Sequence, residues 1–336
     1  MLDLVSKRNW FYLFSFLLVV PGVISLVIPP RLRPGIEFTS GTTFSFRYVE
    51  QTSSDEVQKL ISSLGHPEAR VQRTGDNQFL VQTNEIEGSA QTPPVGPALA
   101  SERESVELAL SKNFGGFLDT QGNPTTQFTE FSSVSAAVSK QIGRNAAIAV
   151  LLASVFITAY IWYAFRNVPN SLRYGISAIV ALLHDVLLVV GAFSILGKLF
   201  DVEVNTFFIT GVLTVVGFSV HDSIVVFDRI RENVARGQIR NFPDAVNHSL
   251  LQTMGRSFNT SLTLIFSIVA LLLLGGGSIR DFLLVLLIGV STGTYSSVFI
   301  ASMFLVTWQQ GDIARLWRRI TGQRPGSAPL EAAPAE

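Results

Sequence analysis

Asp222 interrupts the apolar run GFSVHDSIVVFDRIREN between Gly217 and Asn233. The 18 residues from Val204 to His221 carry no charge, and Ile224 to Phe227 resume the apolar stretch. In a membrane helix a carboxylate costs about 2.5–3.5 kcal/mol on insertion scales, so it is retained with a partner or for a task. Arg256, which opens the next apolar segment, is the candidate partner. Burial favours the neutral carboxyl, and a nearby guanidinium favours the charged one. A carboxylate held between those tendencies exchanges a proton when a conformational change moves the arginine or admits water, whereas arginine itself stays charged. A proton crossing the membrane potential releases about 2.3 kcal/mol per 100 mV, enough to bias a conformational equilibrium. The alternative is a static ion pair, or an arginine that snorkels to the headgroups.

Two further features bear on this pair. Arg256, Asn259, Thr260, Thr263 and Ser267 recur at helical spacing and form a polar stripe. A polar stripe against lipid is expensive, so it is expected to face the bundle interior or a wet crevice. His184-Asp185 repeats the His221-Asp222 dipeptide in another apolar segment. Adjacent helical residues diverge by about 100°, and no third ligand is evident, so a metal site is not expected. A helix-packing hydrogen bond is the plain alternative for Asp185. The Gly-x-Gly-Asp context of intramembrane aspartyl proteases is missing around Asp222.

The elements that must position these groups follow from composition. Of 336 residues, 48% are hydrophobic, and windows of about 20 apolar residues mark membrane helices. Six are read: Trp10–Ile28, Asn145–Phe165, Tyr174–Leu196, Val204–Phe227, Arg256–Leu274 and Phe282–Trp308. The first ends at Pro29-Pro30 without a small-residue cleavage pattern, and is read as an uncleaved anchor. Arginines and lysines crowd the segments that are cytoplasmic if the N-terminus is inside, while the short opposite loops carry only Lys198 and Arg280. Both termini are therefore expected in the cytoplasm. With this orientation Asp222 lies about 9 Å from the cytoplasmic end of its segment, at a depth comparable to Arg256. Cysteine is absent, which excludes disulfides and thiolate chemistry. The zero net charge and the lack of a basic aromatic patch give no sign of nucleic-acid binding.

Residues 30–144 read as an extracytoplasmic α+β domain. Strands are expected at Thr42–Val49, Ala69–Arg73, Gln78–Thr83 and Thr126–Val134, with helices at Ser54–Leu64 and Glu102–Phe114. That β-α-β-β-α-β order is the ferredoxin-like split motif. Asn84–Ala100 reads as a loop. The whole is thus a polytopic α-helical membrane protein: residues 1–29 hold the N-terminal end and first helix, 145–308 hold five more, and 309–336 form a cytoplasmic tail, disordered after Ile320. Gly289-x-x-x-Gly293, followed by Ser296 and Ser297, makes a close-packing face on the sixth helix. His66, in a Gly-His-Pro turn, is read as a surface residue.

The run Gly217–Asn233, then SLLQTMGRSFNTSLT (Ser249–Thr263) and GGSIRDFLLVLLIGVSTGTYSSVFIAS (Gly276–Ser302), resemble the SecF family of the bacterial Sec protein-export machinery. PGIEFTSGT (Pro34–Thr42) is similar to its Gly-Ile-Asp-Phe-Thr-Gly-Gly-Thr signature, and His184-Asp185 matches its third-helix pattern. The resemblance implies a resistance-nodulation-division type bundle and a heterodimer with SecD. It implies use of the proton-motive force to promote preprotein movement through the SecYEG channel, with no cofactor and no enzymatic reaction. Asp222 and Arg256 match the membrane aspartate and arginine implicated in proton transport, with His221, His184, Asp185, Asn259, Thr260 and Thr263 as supporting polar groups. The chain departs from the family pattern at Glu37 and Ser40, at His221 where asparagine is more usual, and at Val134–Ser139, which lacks a Val-Gly-Pro-x-x-Gly hinge. A structural subunit that conducts no protons, and a small-molecule exporter of the same superfamily, are the competing readings.

Overall fold

A computed structural model describes residues 3–49, 52–75, 77–86, 102–119, 122–166, 171–237, 239, 241–274, 279–312 and 315. Most of the expected 84–100 loop and all of the tail after Ile320 lie outside them. The chain divides into two compact units, one comprising Leu32–Leu151 with Glu203–Ile209, the other the apolar helices.

Helix α1 (Arg8–Val27) belongs to the helical unit. The sheet unit opens with one helical turn, α2 (Ile36–Thr39), followed by β1 (Gly41–Tyr48). Then come α3 (Ser54–Ser63), β2 (Arg70–Gly75), β3 (Gln78–Thr83), α4 (Glu102–Asn113), β4 (Phe117–Leu118), β5 (Pro124–Thr125) and β6 (Glu130–Val134). The main strands lie in the order β6-β1-β3-β2, and every neighbouring pair is antiparallel. This is the expected ferredoxin-like arrangement. The β4–β5 hairpin, which extends β1 beside β6, was not anticipated because two-residue ladders leave no periodicity to read.

Strand alternation sends Phe44, Phe46 and Tyr48 of β1 to one face. There they meet Phe79, Val81, Phe117 and Phe128, with Val57 and Ile61 of α3 and Val106 and Leu110 of α4 closing the core. Burial pushes the Tyr48 phenol above its ordinary range, and its hydroxyl has no hydrogen-bond partner among the described residues. Helix α3 starts at Ser54, as expected, but the capping serine is Ser53 rather than Ser54. Ser53 is the N-cap and accepts from Asp55 N at 3.1 Å, while Glu56 reaches back to Ser53 N at 3.3 Å, a capping box.

Ser40 takes φ 66° and ψ 163°, a backbone region essentially reserved for glycine. The signature it departs from has glycine there, so this replacement carries strain of about 1–3 kcal/mol. Ser40→Gly is expected to stabilise the sheet unit by about 1–2 kcal/mol, read as a higher urea midpoint with unchanged slope.

His66 is buried rather than on the surface, because the turn after α3 folds it between two carboxylates, Glu68 at 3.6 Å and Glu102 at 3.4 Å. Hydrogen bonds to its own backbone, Thr83 and Asn84, with His66 nearby, hold the Glu68 carboxyl below its ordinary value of 4.5. A depressed folded-state value gives stability that is present above the unfolded value and lost as pH falls through the folded one. Glu68→Gln is therefore expected to destabilise at neutral pH, and the gap from the unsubstituted protein should close below the ordinary value of 4.5 in thermal melts.

Among the described residues there are six long apolar helices, and the helical unit holds each at least in part. After α1 come α5 (Ala136–Phe165), α6 (Ser171–Leu199), α7 (Thr206–Ala235) and α8 (Phe242–Leu274). The last is composite: α9 (Arg280–Tyr295), a π-helical segment Ser296–Ala301, and α10 (Ser302–Gln309). All six are long and apolar enough to span a bilayer. Helix α5 starts at Ala136, earlier than expected: without glycine or proline in Ala136–Ser139, nothing interrupts the helix there. Large residues of its outer face point outward, with Phe156 70% and Trp162 68% exposed, as lipid-facing groups do, while Ile161 packs into the core.

Close packing follows the glycines. A Cβ on Gly289 would lie 2.1 Å from Val215 Cγ2, so the Gly289–Gly293 face seats α9 on α7 as expected. Gly22 and Gly191 put α1 and α6 in backbone contact, since a Cβ on Gly22 would meet Gly191 Cα at 2.9 Å.

Candidate functional site

Helices α7 and α8 form an antiparallel pair longer than the apolar windows suggest. Helix α7 continues through the charged residues to Ala235, and α8 starts at Phe242 rather than Arg256. Asp222 is thus 13 residues before the end of α7, and Arg256 is 14 residues after the start of α8. At 1.5 Å per residue both lie about 20 Å from the connecting turn, at a similar level along the helix pair.

Polar clamps near the turn fix this register. Asn233 Nδ2 donates to Ser249 Oγ at 2.8 Å and to Gln252 Oε1 at 2.9 Å, and Arg229 Nε donates to Gln252 Oε1 at 2.6 Å. His248 pairs with Gln252 at 2.8 Å. The cluster Asp228, Arg229, Arg231 and Glu232 forms local ion pairs, Arg231–Asp228 and Arg229–Glu232, each at 2.5 Å. The interhelical clamps of Asn233 and Arg229 were not legible in advance, because each needs the second helix, whereas the ion pairs of Asp228, Arg229, Arg231 and Glu232 are local to α7 and are the network that the sequence offered beside a solvated helix end.

Asp222 is buried, 5% exposed. Its polar neighbours in electrostatic reach are His221, Arg256 and the Ser257 hydroxyl. Among the described residues no ion pair joins it to Arg256. Asp222 Oδ2 and Ser257 Oγ are both buried, and neither has a hydrogen-bond partner among the described residues. Arg256 and His221 are exposed on the surface of this chain. The aspartate and arginine are therefore neighbours in level and field, but not in contact.

The polar stripe differs from expectation. Arg256, Asn259, Thr260, Thr263 and Ser267 point out of the bundle. The inward face of α8 is a different ladder, Ser249, Thr253, Ser257 and Ser261 at four-residue spacing. Small hydroxyl residues pack closely, and three of these four bond back to their own helix, Ser249 Oγ on Ala245 O at 2.7 Å, Thr253 Oγ1 on Ser249 O at 3.0 Å and Ser261 Oγ on Ser257 O at 2.9 Å, so the bundle takes this face inward. The outer stripe also satisfies its hydroxyls locally, Thr260 on Arg256 O at 3.0 Å and Thr263 on Asn259 O at 2.6 Å. The i, i+4 run of Ser and Thr was the available signal, overshadowed by the charged stripe.

His184 and Asp185 sit in a second polar centre. Asp185 is fully buried, and its Oδ2 accepts from Ser219 Oγ at 2.6 Å and Ser296 Oγ at 2.7 Å. Its Oδ1 is 3.1 Å from His184 Nδ1, and His184 Nε2 is 3.0 Å from Ser15 Oγ. The π-helical segment, with its i→i+5 repeat, turns both Ser296 and Ser297 inward. Ser297 Oγ donates to Ser219 O at 3.2 Å and accepts from Ser223 Oγ at 3.1 Å. Ser15, Ser219 and Ser223 were not singled out from sequence, since single serines in apolar helices carry no pattern.

Residues 117–311 match the family described as "Protein export membrane protein SecD/SecF, C-terminal", more than half of the chain. The chain belongs to the SecD/SecF protein-export family. A "Protein translocase subunit SecF" of Thermobaculum terrenum is 44% identical over 95% of this chain and 98% of its own length. A "Protein translocase subunit SecDF" of Bacillus subtilis is 34% identical over 93% of this chain, which spans 39% of that protein. The crystal structure of SecDF from Thermus thermophilus, described as a translocon-associated membrane protein, superposes with TM-score 0.73 at 29% identity. It covers 92% of this chain and 39% of that one. The SecD/SecF relatives thus include separate subunits of this length and longer fused chains.

Proposed function

We propose that this chain is the SecF-type subunit of the Sec protein translocase, pairing with SecD and using the proton-motive force to promote preprotein movement through SecYEG. In this reading it lies in the cytoplasmic membrane with both termini inside. Residues 30–144 stand on the outer side, beside the emerging polypeptide. Asp222 takes up and releases the proton, and Arg256 changes the stability of its charged form as the helices move. No metal, cofactor or nucleic acid takes part.

The observation that carries this reading is the buried Asp222 carboxylate, with an unpartnered oxygen, beside an outward polar face that includes Arg256. A structural ion pair would have closed that contact. Arg256, Asn259, Thr260 and Thr263 against lipid would be costly, so in the membrane this face is covered by a polar partner surface. Relatives in which the SecF-like part is one portion of a "SecDF" chain supply a partner of matching kind. The test is export in cells depleted of their own SecF and supplied with Asp222→Asn, with protein level and SecD co-purification monitored. Lost export with an intact complex supports proton coupling. Normal export supports a purely structural subunit.

A further inference from the structure

We propose that His184 and Asp185 form a second proton-holding site, separate from Asp222, at the crossing of α1, α6, α7 and the π-helical segment. This rests on the proton-coupled reading above and adds a second residue pair to it.

The geometry around Asp185 is complete for an ionised carboxylate. Oδ2 takes two hydroxyl donors, Ser219 and Ser296, and Oδ1 takes the His184 Nδ1–H. Three contacts of this kind occupy acceptor positions of the buried carboxylate without a cation. With Nδ1–H committed to Asp185, the other imidazole nitrogen remains to take a proton. In the neutral ring, Nε2 accepts from the Ser15 hydroxyl. After protonation, Nε2–H donates to the same oxygen, and only the hydroxyl hydrogen turns. One N–H bond forms on uptake and the same bond breaks on release, and nothing else changes covalently.

Charge balance gives this switch its consequence. Among the described residues, the elements packed on the pair carry two further titratable side chains in view of it: Tyr295 of α9, whose ring centre is 6.5 Å from that of His184, and Asp222 of α7, one turn beyond Ser219. Among the described residues no lysine or arginine forms an ion pair with Asp185. A neutral His184 therefore leaves one buried negative charge held by hydroxyls, and a protonated His184 makes a neutral pair. Leaving a buried charge uncompensated is costly, so the two states differ in how strongly α6 is held against α7 and the π-helical segment. From Asp185, hydroxyls continue through Ser219 O to Ser297 and Ser223, the residue following Asp222. The pair thus sits where a change of charge shifts the helix that carries Asp222.

A packing role predicts the same contacts without titration, and two measurements separate the alternatives. In the full chain with SecD in lipid nanodiscs, histidine is labelled with nitrogen-15 and the His184 signals are assigned by their loss in His184→Asn. Acidification from about pH 8 to about pH 5, the interval in which imidazoles change charge, is expected to move the Nε2 signal from the unprotonated to the protonated position. A signal fixed in one tautomer overturns the proposal. In cells, His184→Asn keeps an amide donor for Asp185 Oδ1 but takes no proton. It is expected to lose about tenfold or more of the force-dependent export while SecD still co-purifies. Normal export by His184→Asn, alongside failure of Asp222→Asn, overturns this inference alone. Normal export by Asp222→Asn overturns the proton-coupled reading instead, and the nitrogen-15 titration then decides the site by itself.

Discussion

Asp222→Asn is expected to remove the force-dependent part of export while leaving the protein folded and bound to SecD. The substitution preserves volume and a polar head in a site where one carboxylate oxygen already lacks a partner, so little packing or hydrogen bonding is at stake. What disappears is the exchangeable proton. One charge crossing 100 mV carries about 2.3 kcal/mol, which at 1.36 kcal/mol per decade is about a 50-fold bias between two conformations. The stimulated rate should fall by a factor of that order, and collapsing the proton gradient with an ionophore should produce no further loss in the variant. Asp222→Glu restores the ionisable group one methylene further out and is expected to recover part of the rate. A variant that exports at the normal rate, and still slows with ionophore, would move the coupling group elsewhere in the complex.

Phe46→Ala is expected to destabilise the sheet unit strongly. Phe46 is fully buried, with ring centres of Tyr48, Phe117, Phe79 and Phe128 between 4.8 and 5.9 Å away. Removing a core phenylalanine costs about 3–5 kcal/mol, against a total stability of about 5–15 kcal/mol for a domain. No disulfide offsets the loss, since the chain has no cysteine. The melting temperature of this unit should fall by roughly 10–25 °C, read as lost hydrogen-exchange protection of β1 and β3 in the full-length protein. Phe46→Leu should cost far less, and equal effects of the two substitutions would mean that the aromatic cluster is not what holds the unit.

Much of this architecture was already legible along the chain. Six apolar windows fell on the six long helices because a bilayer imposes length and composition directly on sequence. The four main strands and two helices of the sheet unit followed from alternation and helical spacing, because each of those faces is either buried or wet. Asp222 itself stood out because a charge in an apolar run is rare on energetic grounds.

Element ends were less legible. Helices α7 and α8 run well past their apolar windows, since backbone hydrogen bonding continues where hydropathy stops and tertiary clamps such as Asn233–Ser249 hold the extension. Which face of α8 turns inward was decided by fit rather than polarity. Ser249, Thr253, Ser257 and Ser261 are small enough to pack closely, while the stripe with Arg256 needs space outside this chain.

By itself the sequence determined that this protein is a six-helix membrane protein with a small α+β unit and an ionisable group inside a helix, because hydropathy and periodicity are local properties. Only the tertiary structure decided what each polar side chain meets. Asp185 gathers Ser219 and Ser296, with His184 and Ser15 behind it, from four separate helical segments. Asp222 stays without the ion pair that its spacing to Arg256 allowed. Such partnerships depend on helix rotation and on a π-helical register shift of a fraction of a turn, and these are set by packing between helices distant in the chain.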